Sequence, residues 1–256
     1  MIHVPTAPWA HLVFDLTAWF SGVLLSVALY RWRLRDVARS VAARIDGIYF
    51  VALAVGAAFG AWLAGSLNTL REHAPVLSHS VAGALVGAIV AVEIYKALRG
   101  VIGSTGGVFV GSFALGVVIG RFGCFFAGLP DDTYGTPTRL PWAVELGDGV
   151  GRHPVQLYES AAMAVFLAAY LVGLHRRDPW AMRRGFYVLS FWYGLQRFAW
   201  EFLKPYPRLI GPFNVFHILS VGLMAYGWVY YVADRRRDQN AQVGPVPVPW
   251  PNDQLV

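Results

Sequence analysis

The chain of 256 residues holds a single cysteine, Cys124, and only 14% of its residues are charged. One cysteine forms no internal disulfide, and no Cys or His residues fall at zinc-finger spacing. Neither a disulfide framework nor a structural metal is therefore expected to hold the fold. Soluble domains carry about 25% charged residues. A chain with little more than half that share, 56% hydrophobic residues and a mean hydropathy of +0.47 is expected to fold in lipid. The net charge of +6 does not point to nucleic acid, because the basic residues sit in short clusters between apolar runs instead of along one face. No long internal repeat or second domain is visible.

What is present is a series of apolar runs. A helix crossing a hydrocarbon core of about 30 Å needs roughly 20 mostly apolar residues. Seven stretches, at residues 9–30, 45–67, 76–97, 101–126, 156–174, 185–203 and 213–232, meet or approach that length. They predict an all-α, polytopic membrane protein with seven transmembrane helices. Fourteen of the 21 Lys and Arg residues lie in the loops after the first, third, fifth and seventh runs or, for Lys96, at the end of the run itself. Cytoplasmic loops retain positive charge, so the N-terminus is expected outside and the C-terminus in the cytoplasm. No basic segment precedes the first run and no small-residue cleavage site follows it, which predicts a retained helix and not a signal peptide. Residues 1–238 read as one membrane domain and the Pro-rich stretch 239–256 as a cytoplasmic tail. Small residues four apart, at Gly56 and Gly60, Gly83 and Gly87, Gly107 and Gly111, and Gly116 and Gly120, predict close helix contacts.

Ionisable side chains within a bilayer are costly, so their depth is informative. Asp15, His79, Arg121, His153, Glu159, Arg197, Glu201 and His217 gather in the outer half or at its mouth, with Asp15 and His217 the weakest site candidates. Asp46, Glu93 and Lys96 lie near the inner boundary, where they can reach water. Arg121 and Arg197 repel each other at one depth unless acids or an anionic ligand stand between them. Glu201, four residues after Arg197, is the obvious partner. A guanidinium suits phosphate, because its planar fork donates two parallel hydrogen bonds and stays charged when desolvated. A pore or transporter would carry its polar residues on through the inner half or break helices at the midplane. The dry inner half favours chemistry on a phospholipid headgroup of the outer leaflet. Cys124 reads as a small packing residue in preference to a nucleophile.

Residues 120–159 are too polar and too rich in Gly and Pro to span, and predict an ordered outer-face loop region between the fourth and fifth helices. Asp131-Asp132 and Gly147-Asp148-Gly149 read as turns. This segment resembles the signature region of prolipoprotein diacylglyceryl transferases. The resemblance is carried by Gly120-Arg121-Phe122-Gly123, by Tyr134 to Thr138, by Pro141-Trp142 and by Arg152-His153-Pro154-Val155-Gln156-Leu157-Tyr158-Glu159. Tyr193 to Phe202, which contains Arg197 and Glu201, is similar to the family's second arginine motif.

The resemblance implies a multi-pass enzyme of the bacterial cytoplasmic (inner) membrane with its active site toward the outer face. Such an enzyme transfers the diacylglyceryl group of phosphatidylglycerol to the lipobox cysteine thiol of an exported prolipoprotein, releasing glycerol phosphate. It implies no metal, no organic cofactor and no nucleic-acid partner. The catalytic candidates are Arg121, Arg197, Glu201, His153 and His79, and the phospholipid-binding candidates are Arg121, Arg197, Gly123, Tyr134 and Gln156. Gln156 and Glu159 can also fasten the loop at the start of the fifth helix. Three positions depart from the family pattern: Cys124 and Ala127 replace asparagines, and Ala82 replaces a histidine. His79, one turn nearer the surface on the same helical face, is the candidate substitute. The departures leave two alternatives open. One is a diverged paralogue that moves a lipid or phosphoglycerol group to another exported acceptor; the other is a non-catalytic phospholipid-binding or phospholipid-flipping protein.

Overall fold

A helix forms within each of the seven apolar runs, since in lipid a run of that length satisfies its backbone N–H and C=O groups only within itself. The structure, a computed structural model, describes residues 1–69 and 78–243. Residues 76 and 77 of the third predicted run and most of the predicted tail, from Gly244 onward, lie outside them. In chain order the helices are α1 (Ala10–Leu29), the short α2 (Arg35–Ala42), α3 (Gly47–Thr69), α4 (Val81–Arg99), α5 (Val110–Ala127), α6 (Val155–Arg176), the brief α7 (Pro179–Arg183), α8 (Gly185–Glu201) and α9 (Val215–Val243).

Six helical units among the described residues are long and apolar enough to cross a membrane, which makes this an all-helical, polytopic membrane protein. The first runs unbroken from Ala10 to Ala42, because a π turn at Tyr30–Leu34 joins α1 to α2. The remaining predicted span, the sixth in chain order, is α8, which has 17 residues and is not among the six. At 1.5 Å per residue it is about 26 Å long. Helix α9 runs to Val243, past the domain boundary predicted at residue 238. Asp234 and Asp238, one turn apart, both engage Arg184, with Asp234 Oδ2 at 2.9 Å from its Nε, and so tie the polar extension back to the bundle.

Helix α3 packs along α4, α8 along α9, and α5 between α1 and α6. Gly56 and Gly60 meet Gly83 and Gly87 backbone to backbone, and a Cβ on Gly60 would lie 2.8 Å from the Cα of Gly87. That is the close seam predicted for small residues four apart. Gly116 plays another part: a Cβ there would meet nothing within 4 Å, because the residue faces a cavity. Val110, Ala114, Met163, Tyr170, Leu174 and Leu189 form a fully buried core. Polar ties cross it too, among them Ser160 Oγ donating to the Val118 carbonyl at 2.8 Å.

Lys96, expected to reach water, is buried instead. Its Nζ donates to Glu93 Oε1 at 2.7 Å, and the Tyr226 hydroxyl donates to the same oxygen at 2.9 Å. At the other end of the bundle the predicted loop region is shorter than 120–159: its first residues continue α5 to Ala127, its last begin α6 at Val155, and residues 128–154 between them form an ordered cap. Strand β1 (Ile2–His3) pairs in parallel with β2 (Val144–Glu145). Glu145 accepts from Gly149 N at 2.8 Å and Gly147 N at 2.5 Å and meets His3 Nδ1 at 2.5 Å. These donors, Gly149 first, hold its carboxyl down at about 2. Thr136 N donates to the Leu203 carbonyl at 2.7 Å, which fastens the cap to the end of α8.

Candidate functional site

Three helices converge beneath the cap. Arg121 sits in the last turns of α5, Glu159 in the second turn of α6, and Arg197 and Glu201 one turn apart at the end of α8. Lys204 follows just beyond α8. Glu159 is the hub: Arg121 Nε lies 2.6 Å from its Oε2, while Arg197 Nη1 and Lys204 Nζ both donate to its Oε1, the latter at 2.9 Å. Arg197 Nη2 lies 3.1 Å from Glu201 Oε2. Asn214 Nδ2 donates to Glu201 Oε1 at 2.9 Å, and Asn214 Oδ1 caps α9 by accepting from Phe216 N and His217 N. The guanidinium of Arg197 also stands 5.0 Å from the centre of the Phe216 ring.

Among the described residues the cluster therefore sets three cations, Arg121, Arg197 and Lys204, against two carboxylates, Glu159 and Glu201. Only Arg121 is more than marginally exposed, at 11% of its side chain. Burying charge is tolerated when it is paired, and an unmatched positive charge in such a place favours an anion. Burial, with Arg197 opposite, pulls the Lys204 ammonium down to about 8 against the opposing influence of Glu159. The surplus charge is thus present at neutral pH and lost in mild alkali.

Arg121 and Arg197 line a polar cavity of about 530 Å³ with His11, His79, Cys124 and Asp131 in its wall. A second, mostly apolar cavity of about 650 Å³ lies among α1, α3, α4 and α5. The two share Ala18, Trp19, Ala84, Phe113 and Gly116. A polar chamber that meets an apolar one suits a ligand with a charged head and hydrocarbon chains.

Of the residues predicted from sequence, the structure brings Arg121, Arg197 and His79 to the polar cavity, with Glu201 behind Arg197. Ala82, where the resemblance places a histidine, is buried in the same wall. Gly123 is buried against α1, where a Cβ would lie 2.8 Å from Phe14 Cβ and 3.4 Å from His11 Cα. Three others stand away from the cavity wall and build the cap. The His153 amide donates to the Thr136 carbonyl at 3.1 Å, Tyr134 lies under the Arg152 guanidinium at 5.1 Å, and Gln156 is buried at the start of α6. Sequence reasoning assigned Glu159 to loop fastening and passed over Lys204 and Asn214. Its signal was present in the depth of Glu159, which matches that of both arginines.

The pattern of the family described as prolipoprotein diacylglyceryl transferase matches residues 17–233. Among similar proteins, one from Finegoldia magna is 33% identical over 131 residues, 51% of this chain and 50% of its own length. One from Solidesulfovibrio magneticus is 36% identical over 137 residues, 49% of each chain. One from Geobacter sulfurreducens is 34% identical over 139 residues, 51% of this chain and 50% of its own length. All three carry the name phosphatidylglycerol–prolipoprotein diacylglyceryl transferase. The chain spans about half the length of these curated relatives. No solved structure matches it.

Proposed function

The chain belongs to the prolipoprotein diacylglyceryl transferase family, and we propose that it transfers the diacylglyceryl group of phosphatidylglycerol to the thiol of an exported prolipoprotein, releasing glycerol phosphate. It does so from the bacterial cytoplasmic membrane with α8 as a seventh crossing, the N-terminus outside and the site open to the outer face. The observation that carries this reading is the surplus cation of the Arg121, Arg197 and Lys204 cluster at the meeting of a polar and an apolar cavity.

In this reading the phosphodiester lies between Arg121 and Arg197, and the acyl chains enter the apolar cavity. The acceptor thiolate attacks the glyceryl carbon, the carbon–oxygen bond to phosphate breaks, and the leaving oxygen keeps the electron pair. The two guanidiniums stabilise that charge as it develops, and Glu159 and Glu201 fix their forks so that little reorganisation is needed. His79 stands on the cavity wall as one candidate to receive the thiol proton.

The test is a transfer assay in proteoliposomes with labelled phosphatidylglycerol and a lipobox peptide bearing either cysteine or serine. Release of glycerol phosphate that requires the cysteine and disappears in Arg197→Ala is the expected result. Release with another acceptor but not the lipobox peptide would favour the paralogue reading, which the missing side chain at Ala82 supports. Lipid binding without release would leave a non-catalytic phospholipid-binding protein.

A further inference from the structure

The fold assembles a group that no sequence spacing announces. His11 in the first turn of α1, Cys124 near the end of α5 and Asp131 in the turn after it present one ligand atom each, all within 4.8 Å of one another. His11 Nε2 lies 3.0 Å from Asp131 Oδ1 and 3.8 Å from Cys124 Sγ. Gly123 makes the approach possible, since a side chain there would press on His11 and Phe14 and push α5 away from α1.

We propose that His11, Cys124 and Asp131 bind a zinc ion whose fourth position opens into the polar cavity. The donor set is one imidazole, one thiolate and one carboxylate, each an ordinary zinc ligand, and the thiolate favours zinc over harder ions. With bonds of about 2.0 Å to N and O and about 2.3 Å to S, a tetrahedral site needs edges of about 3.3 Å between N and O and about 3.5 Å between N and S. The separations of 3.0 and 3.8 Å differ from those edges by only a few tenths of an ångström. Three protein ligands and an open position are the arrangement of a catalytic zinc, where a structural one is closed by four.

The surroundings match as well. A zinc-bound imidazole nearly always gives its other ring N–H to a carboxylate, and ligating carboxylates are themselves hydrogen-bonded. Here His11 Nδ1 faces Asp15 Oδ2 at 3.0 Å. Thr133 Oγ1 donates to Asp131 Oδ2 at 2.5 Å, which leaves Oδ1 turned to His11. Both outer positions that such a site requires are therefore filled before any metal is considered.

The consequence rests on the proposed transferase reading. Arg121, which grips the phosphate there, reaches within 3.8 Å of Cys124 Sγ, so a fourth ligand on the zinc arrives beside the phosphate. An acceptor thiol taking that position loses its proton to water at the cavity mouth and is held as a thiolate, because a coordinated thiol is deprotonated outright. Its sulfur forms the new bond to the glyceryl carbon while the carbon–oxygen bond breaks and the electron pair departs with glycerol phosphate. The metal would thereby supply the deprotonation for which His79 is otherwise the candidate.

The experiment uses the full chain in detergent, stripped by a chelator and titrated with Co2+ and then Zn2+. One equivalent of Co2+ should produce tetrahedral d–d bands with a thiolate-to-cobalt charge-transfer band, and Zn2+ should displace it. Cys124→Ser should lose the charge-transfer band, and Asp15→Asn should bind metal about 10- to 100-fold more weakly. Absence of the band in wild-type protein that keeps its helical circular dichroism would overturn the inference, as would its survival in Cys124→Ser. The two proposals fail separately. Lipid transfer by metal-free protein that takes up no Co2+ removes the zinc and keeps the transferase; a cobalt band without glycerol phosphate release removes the transferase and keeps the zinc site.

Discussion

Two buried ion clusters stand at opposite ends of this bundle, and they differ in balance. At one end Lys96 faces Glu93, one cation to one carboxylate, with the Tyr226 hydroxyl completing the hydrogen bonds. At the other, Arg121, Arg197 and Lys204 share Glu159 and Glu201, and two of the three cations line a polar cavity. A balanced pair within α4 satisfies itself, and the Tyr226 hydroxyl donating to Glu93 ties α4 to α9. An unbalanced cluster beside an open chamber is complete only with an anion in place. Burial alone therefore does not mark a functional charge; a charge left over after local pairing does.

The largest effect should come from removing a charge that faces the cavity. Arg197→Ala is expected to lower turnover of labelled phosphatidylglycerol by about 10²- to 10³-fold, the usual loss when one stabiliser of developing charge is removed. The protein should remain inserted, as judged by protease protection. Wild-type turnover by this variant would erase the distinction between the two clusters.

Next comes the hub. Glu159→Gln leaves three cations facing one carboxylate, and stripping one partner from a buried cluster typically costs about 3–5 kcal/mol. The thermal midpoint in detergent should fall clearly, and added phosphatidylglycerol should recover part of the loss by supplying the missing negative charge. No shift in the midpoint would mean that Glu159 is solvated and that the cluster is not a buried one.

Lys204 gives a smaller effect with a distinctive sign. Its ammonium titrates near 8 in the folded protein against an ordinary value of 10.5. The folded state thus binds fewer protons than the unfolded state between those values, so stability without lipid rises with pH across that window. Headgroup binding runs the other way, because the surplus cation disappears as pH passes 8. At a nominal separation of about 7 Å and an effective dielectric near 20 the lost attraction is about 2.4 kcal/mol, which sets an upper limit of about fiftyfold on the drop in affinity. Lys204→Met should abolish both slopes; parallel slopes, or slopes that persist in the variant, would assign the titration to another group.

Much of this was legible in the sequence because lipid leaves a chain few choices. An apolar run of the right length must be helical, and the ends of each run give the depth of every charge within it. That is how Arg121 and Arg197 stood out. What escaped was pairing across helices. Glu159 was assigned to fastening its loop, since nothing along the chain shows that α5, α6 and α8 turn their polar residues to one point. His11 and Cys124 lie 113 positions apart, and their meeting depends on Gly123 bringing α5 against α1. Lys96 was misread for the converse reason: nearness to a span end permits contact with water, but the side of α4 on which it stands puts it against Glu93 and α9.

The smallest effect should come from the balanced cluster, and it is the sharpest test of the comparison. Lys96→Met alone leaves the half-buried Glu93 beside an apolar cavity without a cation and should lower the thermal midpoint. Adding Glu93→Gln removes the orphaned charge and keeps an acceptor for the Tyr226 hydroxyl, so stability should return to near the wild-type value, as expected when a buried ion pair gives way to neutral groups of similar size. Transfer should fall far less than in Arg197→Ala, because neither residue lines the polar cavity that takes the phosphate, although Glu93 borders the apolar cavity proposed for the acyl chains. The same neutralisation at the other end, Arg197→Met with Glu201→Gln, should restore stability in the same way yet leave transfer abolished. Restored stability with lost transfer at one end, and with retained transfer at the other, would separate a charge that holds helices together from a charge kept for a ligand.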